Sequence, residues 1–156
     1  MEIERKFLIK NRNWAKASIE RVFKITQQYI HVDDKIELRV RQSGGAATLT
    51  MKSKGTGTRE EVESTIEYVV ATQMMEKFGI MNKIQKTRFW IFHDGLRWEL
   101  DEFTDLNLGL ITVEVELDSI DQKISIPDWV GEEVTEDKRY YNSELANKPF
   151  TTWDNK

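Results

Sequence analysis

Charged residues in this chain sit two apart and are sorted by sign. Glu2, Glu4 and Lys6 alternate with Ile3, Arg5 and Phe7, and the spacing returns as Arg39/Arg41, Lys52/Lys54, Lys86/Arg88, Glu99/Asp101 and Glu114/Glu116, each pair split by an apolar or small residue. A period of two puts both members of a pair on one face of a β-strand. Like charges on one face repel, and an ordinary solvated sheet face intersperses the two signs. Rows of a single sign are tolerated best when an anion neutralises the basic ones and a divalent cation the acidic ones. A polyphosphate together with a metal satisfies both demands.

About eight strands are expected: Glu2 to Ile9, Gln27 to Val32, Lys35 to Gln42, Ala47 to Lys54, Arg59 to Val70, Lys83 to Phe92, Gly95 to Phe103 and Leu110 to Leu117. Asp33-Asp34, Gly44-Gly45, Gly55 to Gly57, Asp94-Gly95 and Asn107 to Gly109 separate them as turns. A short helix is expected over Ala71 to Phe78, capped by Thr72 and stopped by Gly79, and a second over Ser143 to Ala146. Apolar residues such as Ile36, Leu38, Val40, Val113 and Val115 oppose the charged rows. Alternation alone favours a sandwich or open sheet with one wet face. The other solution is a mainly antiparallel β (α+β) fold, a closed eight-stranded barrel with a charged lumen and short flanking helices.

The 156 residues suit one domain, 1–156, and 39% hydrophobic with 32% charged residues is a folded composition. A net charge of -4 carries no global basic footprint, so no nucleic-acid partner is expected. The absence of cysteine excludes disulfides, thiolate metal sites and cysteine nucleophiles. Glu2, Glu4, Arg5 and Lys6 stand where a signal peptide needs apolar residues, and no run has the length of a membrane span. A soluble cytoplasmic protein with no membrane partner is expected, and a homodimer stays open.

The opening EIERKFL resembles the ExExK signature of the CYTH superfamily, the triphosphate tunnel metalloenzymes. QQYI at Gln27 to Ile30, LRVRQ at Leu38 to Gln42, LTMKSKGTGTREEVE at Leu49 to Glu63, KTRF at Lys86 to Phe89, WELDEF at Trp98 to Phe103, VEVEL at Val113 to Leu117 and WVGEEVTEDKRYYNSELA at Trp129 to Ala146 are similar to its further blocks, in order and over nearly the whole chain. The resemblance implies an eight-stranded tunnel that binds a linear triphosphate. It implies phosphate contacts from Lys6, Arg39, Arg41, Lys52, Lys54, Lys86, Arg88 and Lys138, with Arg59 either reaching phosphate or pairing with Glu61 and Glu63. Metal ligands would come from Glu2, Glu4, Asp101, Glu114 and Glu116. Carboxylate oxygens, without cysteine and with only His31 and His93, suit Mg²⁺ or Mn²⁺.

Among these enzymes the small bacterial inorganic triphosphatases are the most similar. Their tyrosine-lysine dyad falls on Tyr29 and Lys86, with the lysine activating water. A lysine base needs a lowered pKa, which crowding by Arg88, Lys52 and Arg39 in a dehydrated tunnel would provide. The expected activity is metal-dependent hydrolysis of inorganic triphosphate. The alternatives are a class IV adenylate cyclase, another organic triphosphatase such as thiamine triphosphatase, or a non-catalytic polyphosphate or nucleotide binder. Trp90, Trp98 and Trp129 are expected to pack, and His31 and His93 to stand by.

Overall fold

The computed structural model describes residues 1–55 and 57–154; Thr56, within the expected Gly55 to Gly57 break, and the last two residues of the expected domain lie outside the described residues. Ten strands form one antiparallel sheet: β1 (Glu2–Ile9), β2 (Ser18–Val32), β3 (Ile36–Ser43), β4 (Ala46–Ser53), β5 (Thr58–Arg59), β6 (Glu61–Ile66), β7 (Ile84–His93), β8 (Leu96–Phe103), β9 (Ile111–Glu116) and β10 (Val130–Glu133). Among the described residues two helices flank it, α1 (Tyr68–Phe78) and α2 (Asn142–Asn147).

The strands follow the order β1-β9-β8-β7-β2-β3-β4-β6, with β10 added on β1. Glu60 alone separates β5 from β6. While β6 stays on β4, β5 turns to β1, setting Arg59 opposite Glu2 and Thr58 opposite Ile3. Counted as one interrupted strand, β5 and β6 complete a ring of eight that is closed by a seam two residue pairs long. The free edge of β1 is therefore divided: its first residues hold β5, and Phe7 and Ile9 hold β10.

The outward rows are apolar and need cover. On β1, β8 and β9, Phe7, Trp98, Leu100, Val113 and Val115 pack with Trp14 and Trp129 from the connecting segments and Val130 from β10. Each such side chain, taken from water, contributes about 1.5–3 kcal/mol. Across the ring, α1 presses Ala71 and Met75 onto Val40 and Ala47. The inward rows turn apolar towards the end where β7 begins, and there Tyr29, Ile84 and Phe103 pack with Tyr140, Leu145 and Ala146. The C-terminal segment covers that end of the barrel.

Three expected boundaries move. β2 begins at Ser18, well before Gln27: Arg21 to Thr26 pair with β7 in regular register although both of their faces mix charged and apolar residues, and a register shift lies between Ile19 and Arg21. The strand expected to run to Val70 stops at Ile66, and α1 starts at Tyr68. Thr72 does not cap that helix; it lies inside, donating its hydroxyl to the Tyr68 carbonyl. Gly79 ends α1 in an extended conformation, and a side chain there would strike the Met75 carbonyl and Gln28. At the β7-β8 hairpin, Asp94 and Gly95 both take positive φ, 49° and 77°, as a tight two-residue turn requires. No helix among the described residues is long and apolar enough to cross a membrane.

Candidate active site

The ionic rows converge on a cavity of about 280 Å³ inside the ring. Register explains the convergence: Glu4 and Lys6 on β1 lie opposite Glu116 and Glu114, Glu99 on β8 opposite Glu114, Arg88 on β7 opposite Asp101, and Glu37 on β3 opposite Lys52. Lys6, Arg39, Arg41, Lys52, Arg59 and Arg88 line the cavity together with Glu2, Glu4, Glu37, Glu61, Glu63, Glu99 and Glu114.

Most of these cations have carboxylate partners. Lys52 lies 2.9 Å from Glu2 and 3.8 Å from Glu61, Arg59 2.8 Å from Glu37 and 3.4 Å from Glu4, and Lys6 3.3 Å from Glu114. Arg88 grips Asp101 with two hydrogen bonds of 2.7 and 2.9 Å and reaches Glu99 at 3.2 Å. Arg39 and Arg41 differ. Among the described residues neither has a carboxylate within 4.0 Å. Arg41 donates to the neutral Gln27 Oε1 at 2.9 and 3.1 Å, and the buried Nε of Arg39 has no hydrogen-bond partner. Burial, then repulsion from Arg39 and Arg88, lowers Arg41 to about 9. A buried and a half-buried guanidinium side by side without a counter-charge are costly unless an anion joins them.

Lys86 lies just behind the cavity wall, fully enclosed, its Nζ 2.8 Å from Asp101 and 3.1 Å from Asn142 Oδ1. Burial lowers it to about 7 against the pull of Asp101, with Arg88 and Arg41 adding to the fall. Dehydration and Arg88 act as expected from sequence, dehydration most, while Arg41 stands in the place expected for Lys52 and Arg39. Burial also raises Asp101, but Arg88 and Lys86 overcome it and hold the carboxyl at about 2. Tyr29 is buried on the cavity wall, and burial pushes its phenol upward, so it stays a protonated donor.

The acidic residues meet in couples. Burial and then Glu114 raise Glu4 to about 8, while Lys6 and the hydrogen bond from Glu4 keep Glu114 well below the usual carboxylate range against its own burial. Glu2 is raised by burial and by its hydrogen bond with Glu61. Carboxylates that share a proton mark positions where a cation would displace that proton. Among the described residues no three Asp, Glu or His side chains form a ready-made metal cluster. Such a donor set fits Mg²⁺ or Mn²⁺ bound through one or two carboxylates plus phosphate oxygens and water, rather than an all-protein cage.

Lys54, Lys138 and Glu116 do not line the cavity. Lys54 follows the end of β4, Lys138 is exposed on a 3-10 turn after β10, and Glu116 is exposed at the end of β9. Asp101 also lies off the cavity surface, with both oxygens engaged by Arg88 and Lys86. Glu37 and Asn142 join the site although neither stands out in the sequence. Glu37 had a readable signal, as it keeps the phase of Arg39 and Arg41. Asn142 comes from a segment 56 positions beyond Lys86, and nothing local marks it.

The chain resembles known proteins over its length. The CYTH domain pattern matches residues 1–148. It is 36% identical over 150 residues to an inorganic triphosphatase of Acetivibrio thermocellus, covering 96% of this chain and 95% of that protein. An inorganic triphosphatase of Nitrosomonas europaea is 40% identical over 149 residues, covering 93% and 96%. The crystal structure of the inorganic triphosphatase NE1496 superposes with a TM-score of 0.67 at 37% identity, over 94% of each chain. On this match and on the charged barrel, the chain belongs to the CYTH domain family.

Proposed function

We propose that this protein is an inorganic triphosphatase, hydrolysing triphosphate to diphosphate and orthophosphate inside the barrel with the help of a divalent metal. The observation that carries the reading is the pair Arg39, buried, and Arg41, half-buried, on the cavity wall without carboxylate partners among the described residues. Guanidinium forks match phosphate oxygens, and Lys6, Lys52, Arg59 and Arg88 add charge around them.

Glu2, Glu4 and Glu114 would hold Mg²⁺ or Mn²⁺, which when bound supplies charge neutralisation and polarisation of the phosphoryl oxygens. In the hydrolysis, a water oxygen bonds to a terminal phosphorus, the anhydride P–O bond breaks and diphosphate leaves. Lys86, neutral once above its lowered pKa, takes the proton of that water at Nζ. Asp101 and Asn142 hold the ammonium in place, a role that suits Asp101 better than metal binding. Tyr29 donates its phenol beside the phosphates. Arginine and lysine position and neutralise the rest, which is most of what phosphoryl transfer needs. The same reading covers 1–156 as one tunnel domain and places it in the cytoplasm, a reducing compartment that suits a chain without cysteine.

Purified protein incubated with triphosphate and Mg²⁺ or Mn²⁺ should release orthophosphate, and a chelator should stop it. Triphosphate that raises the melting temperature yet stays intact would make the protein a binder, and cyclic AMP formed from ATP would make it a cyclase.

A further inference from the structure

Trp90 does not pack into the core as Trp98 and Trp129 do. It continues the inward row of β7 two residues beyond Arg88, half-buried, and donates its indole N–H to Glu99 Oε2 at 3.2 Å, the same oxygen that Arg88 reaches at 3.2 Å. Arg97, two residues before Glu99 on β8, lies over the Trp90 ring with Cζ 3.8 Å from its centroid. Arg21, opposite Trp90 on β2, lies 5.1 Å from that ring and 4.7 Å from Phe23, which meets Trp90 edge-on. These side chains extend the inner wall outward from Arg88, away from the end covered by the C-terminal segment.

The pairing of the nine arginines sets Arg21 and Arg97 apart. Half-buried Arg5 and exposed Arg12 and Arg139 each have a carboxylate, Glu133, Glu102 and Asp137, and half-buried Arg59 and buried Arg88 have theirs. Among the described residues the four without one are Arg39 and Arg41 in the cavity and Arg21 and Arg97 at its rim. All four stand on inward rows. Stacking on an indole fixes a guanidinium while leaving its N–H groups free to donate, so the rim pair is pre-ordered for an anion.

We infer that Arg21 and Arg97, braced on Trp90, form an outer phosphate subsite that takes the part of a linear polyphosphate extending beyond the three phosphates in the cavity. The inference rests on the cavity binding triphosphate. A nucleobase is the poorer occupant, because stacking on Trp90 would have to displace Arg97 from the ring.

The test compares triphosphate with linear tetrapolyphosphate at fixed free Mg²⁺, in wild-type protein and in the Arg21→Gln/Arg97→Gln variant, with ATP as a third substrate and thermal melting as a fold control. Binding of each polyphosphate is also measured by calorimetry at the same free Mg²⁺, with turnover stopped by Lys86→Ala in both proteins. Wild-type protein should bind tetrapolyphosphate about tenfold more tightly than triphosphate, and the variant should lose that margin while its kcat/KM on triphosphate stays within about twofold. Arg21→Lys/Arg97→Lys should recover part of it, as charge returns without the stack. An equal loss on both polyphosphates, no margin in the wild type, or a loss confined to ATP would overturn the subsite. Wild-type protein that binds neither polyphosphate and hydrolyses neither would instead overturn the triphosphatase reading beneath it.

Discussion

β3 and β7 each carry two inward cations, and they are treated in opposite ways. On β7, Lys86 and Arg88 converge on Asp101, one buried carboxylate that both touch within 3 Å. On β3, Arg39 and Arg41 face the same space with a neutral glutamine as their only side-chain hydrogen-bond partner among the described residues. The β7 wall is complete in itself; the β3 wall is completed by a ligand. Charge that is internally balanced orients groups, whereas charge left over selects what may enter.

Removing Asp101 should break the balanced wall hardest. Asp101→Ala leaves two buried cations without their partner, and a loss of about 3–5 kcal/mol in unfolding free energy is expected from denaturant titration. Lys86→Ala tests whether the balanced wall also does chemistry. A lysine base acts only when neutral, so wild-type kcat should rise as pH passes about 7 and level off above it. Lys86→Ala should lower kcat by roughly 10²–10⁴ and abolish that rising limb in the pH profile. The β3 side should show the reverse signature. Arg39→Met/Arg41→Met should cut kcat/KM on triphosphate by about 10²-fold or more, yet leave the melting temperature level or higher, since it removes charge that burial opposes. If that double variant unfolds as readily as Asp101→Ala, the contrast between the walls fails. The smallest effect belongs to the outer surface: breaking the Arg5–Glu133 pair with Glu133→Ala should cost no more than about 1 kcal/mol and spare activity.

Much of the barrel was legible because each inward row repeats every second residue within one strand. Glu2, Glu4 and Lys6, or Arg39 and Arg41, announce their face locally. Where a face mixes polarity, the signal goes: Arg21, Phe23 and Ile25 share one face of β2 and Val22, Lys24 and Thr26 the other, which hid the first half of β2, and with it the rim arginine. Trp90 is hard to read for a related reason. A tryptophan in a strand reads as packing, and only the cross-strand neighbours Arg21 and Glu99 give it another use. Lys54 and Glu116 keep the phase of their strands but sit where those strands run out, a boundary that period cannot locate. Asn142 and the two-pair meeting of β5 with β1 are long-range events, set by how the chain returns rather than by any window of sequence.

That short meeting has a mechanical meaning. Two residue pairs and one further backbone hydrogen bond, from Glu4 N–H to the Gly57 carbonyl, are little to fasten a cylinder, and the stitching is reinforced by ion pairs that cross it, Glu2 to Lys52 and Glu4 to Arg59. A metal that draws Glu2 and Glu4 away would release Lys52 and Arg59 towards the incoming anion. The zip of the barrel and the grip on its cargo thus draw on the same four side chains, so loading would exchange the pairs that fasten the seam for contacts with metal and anion.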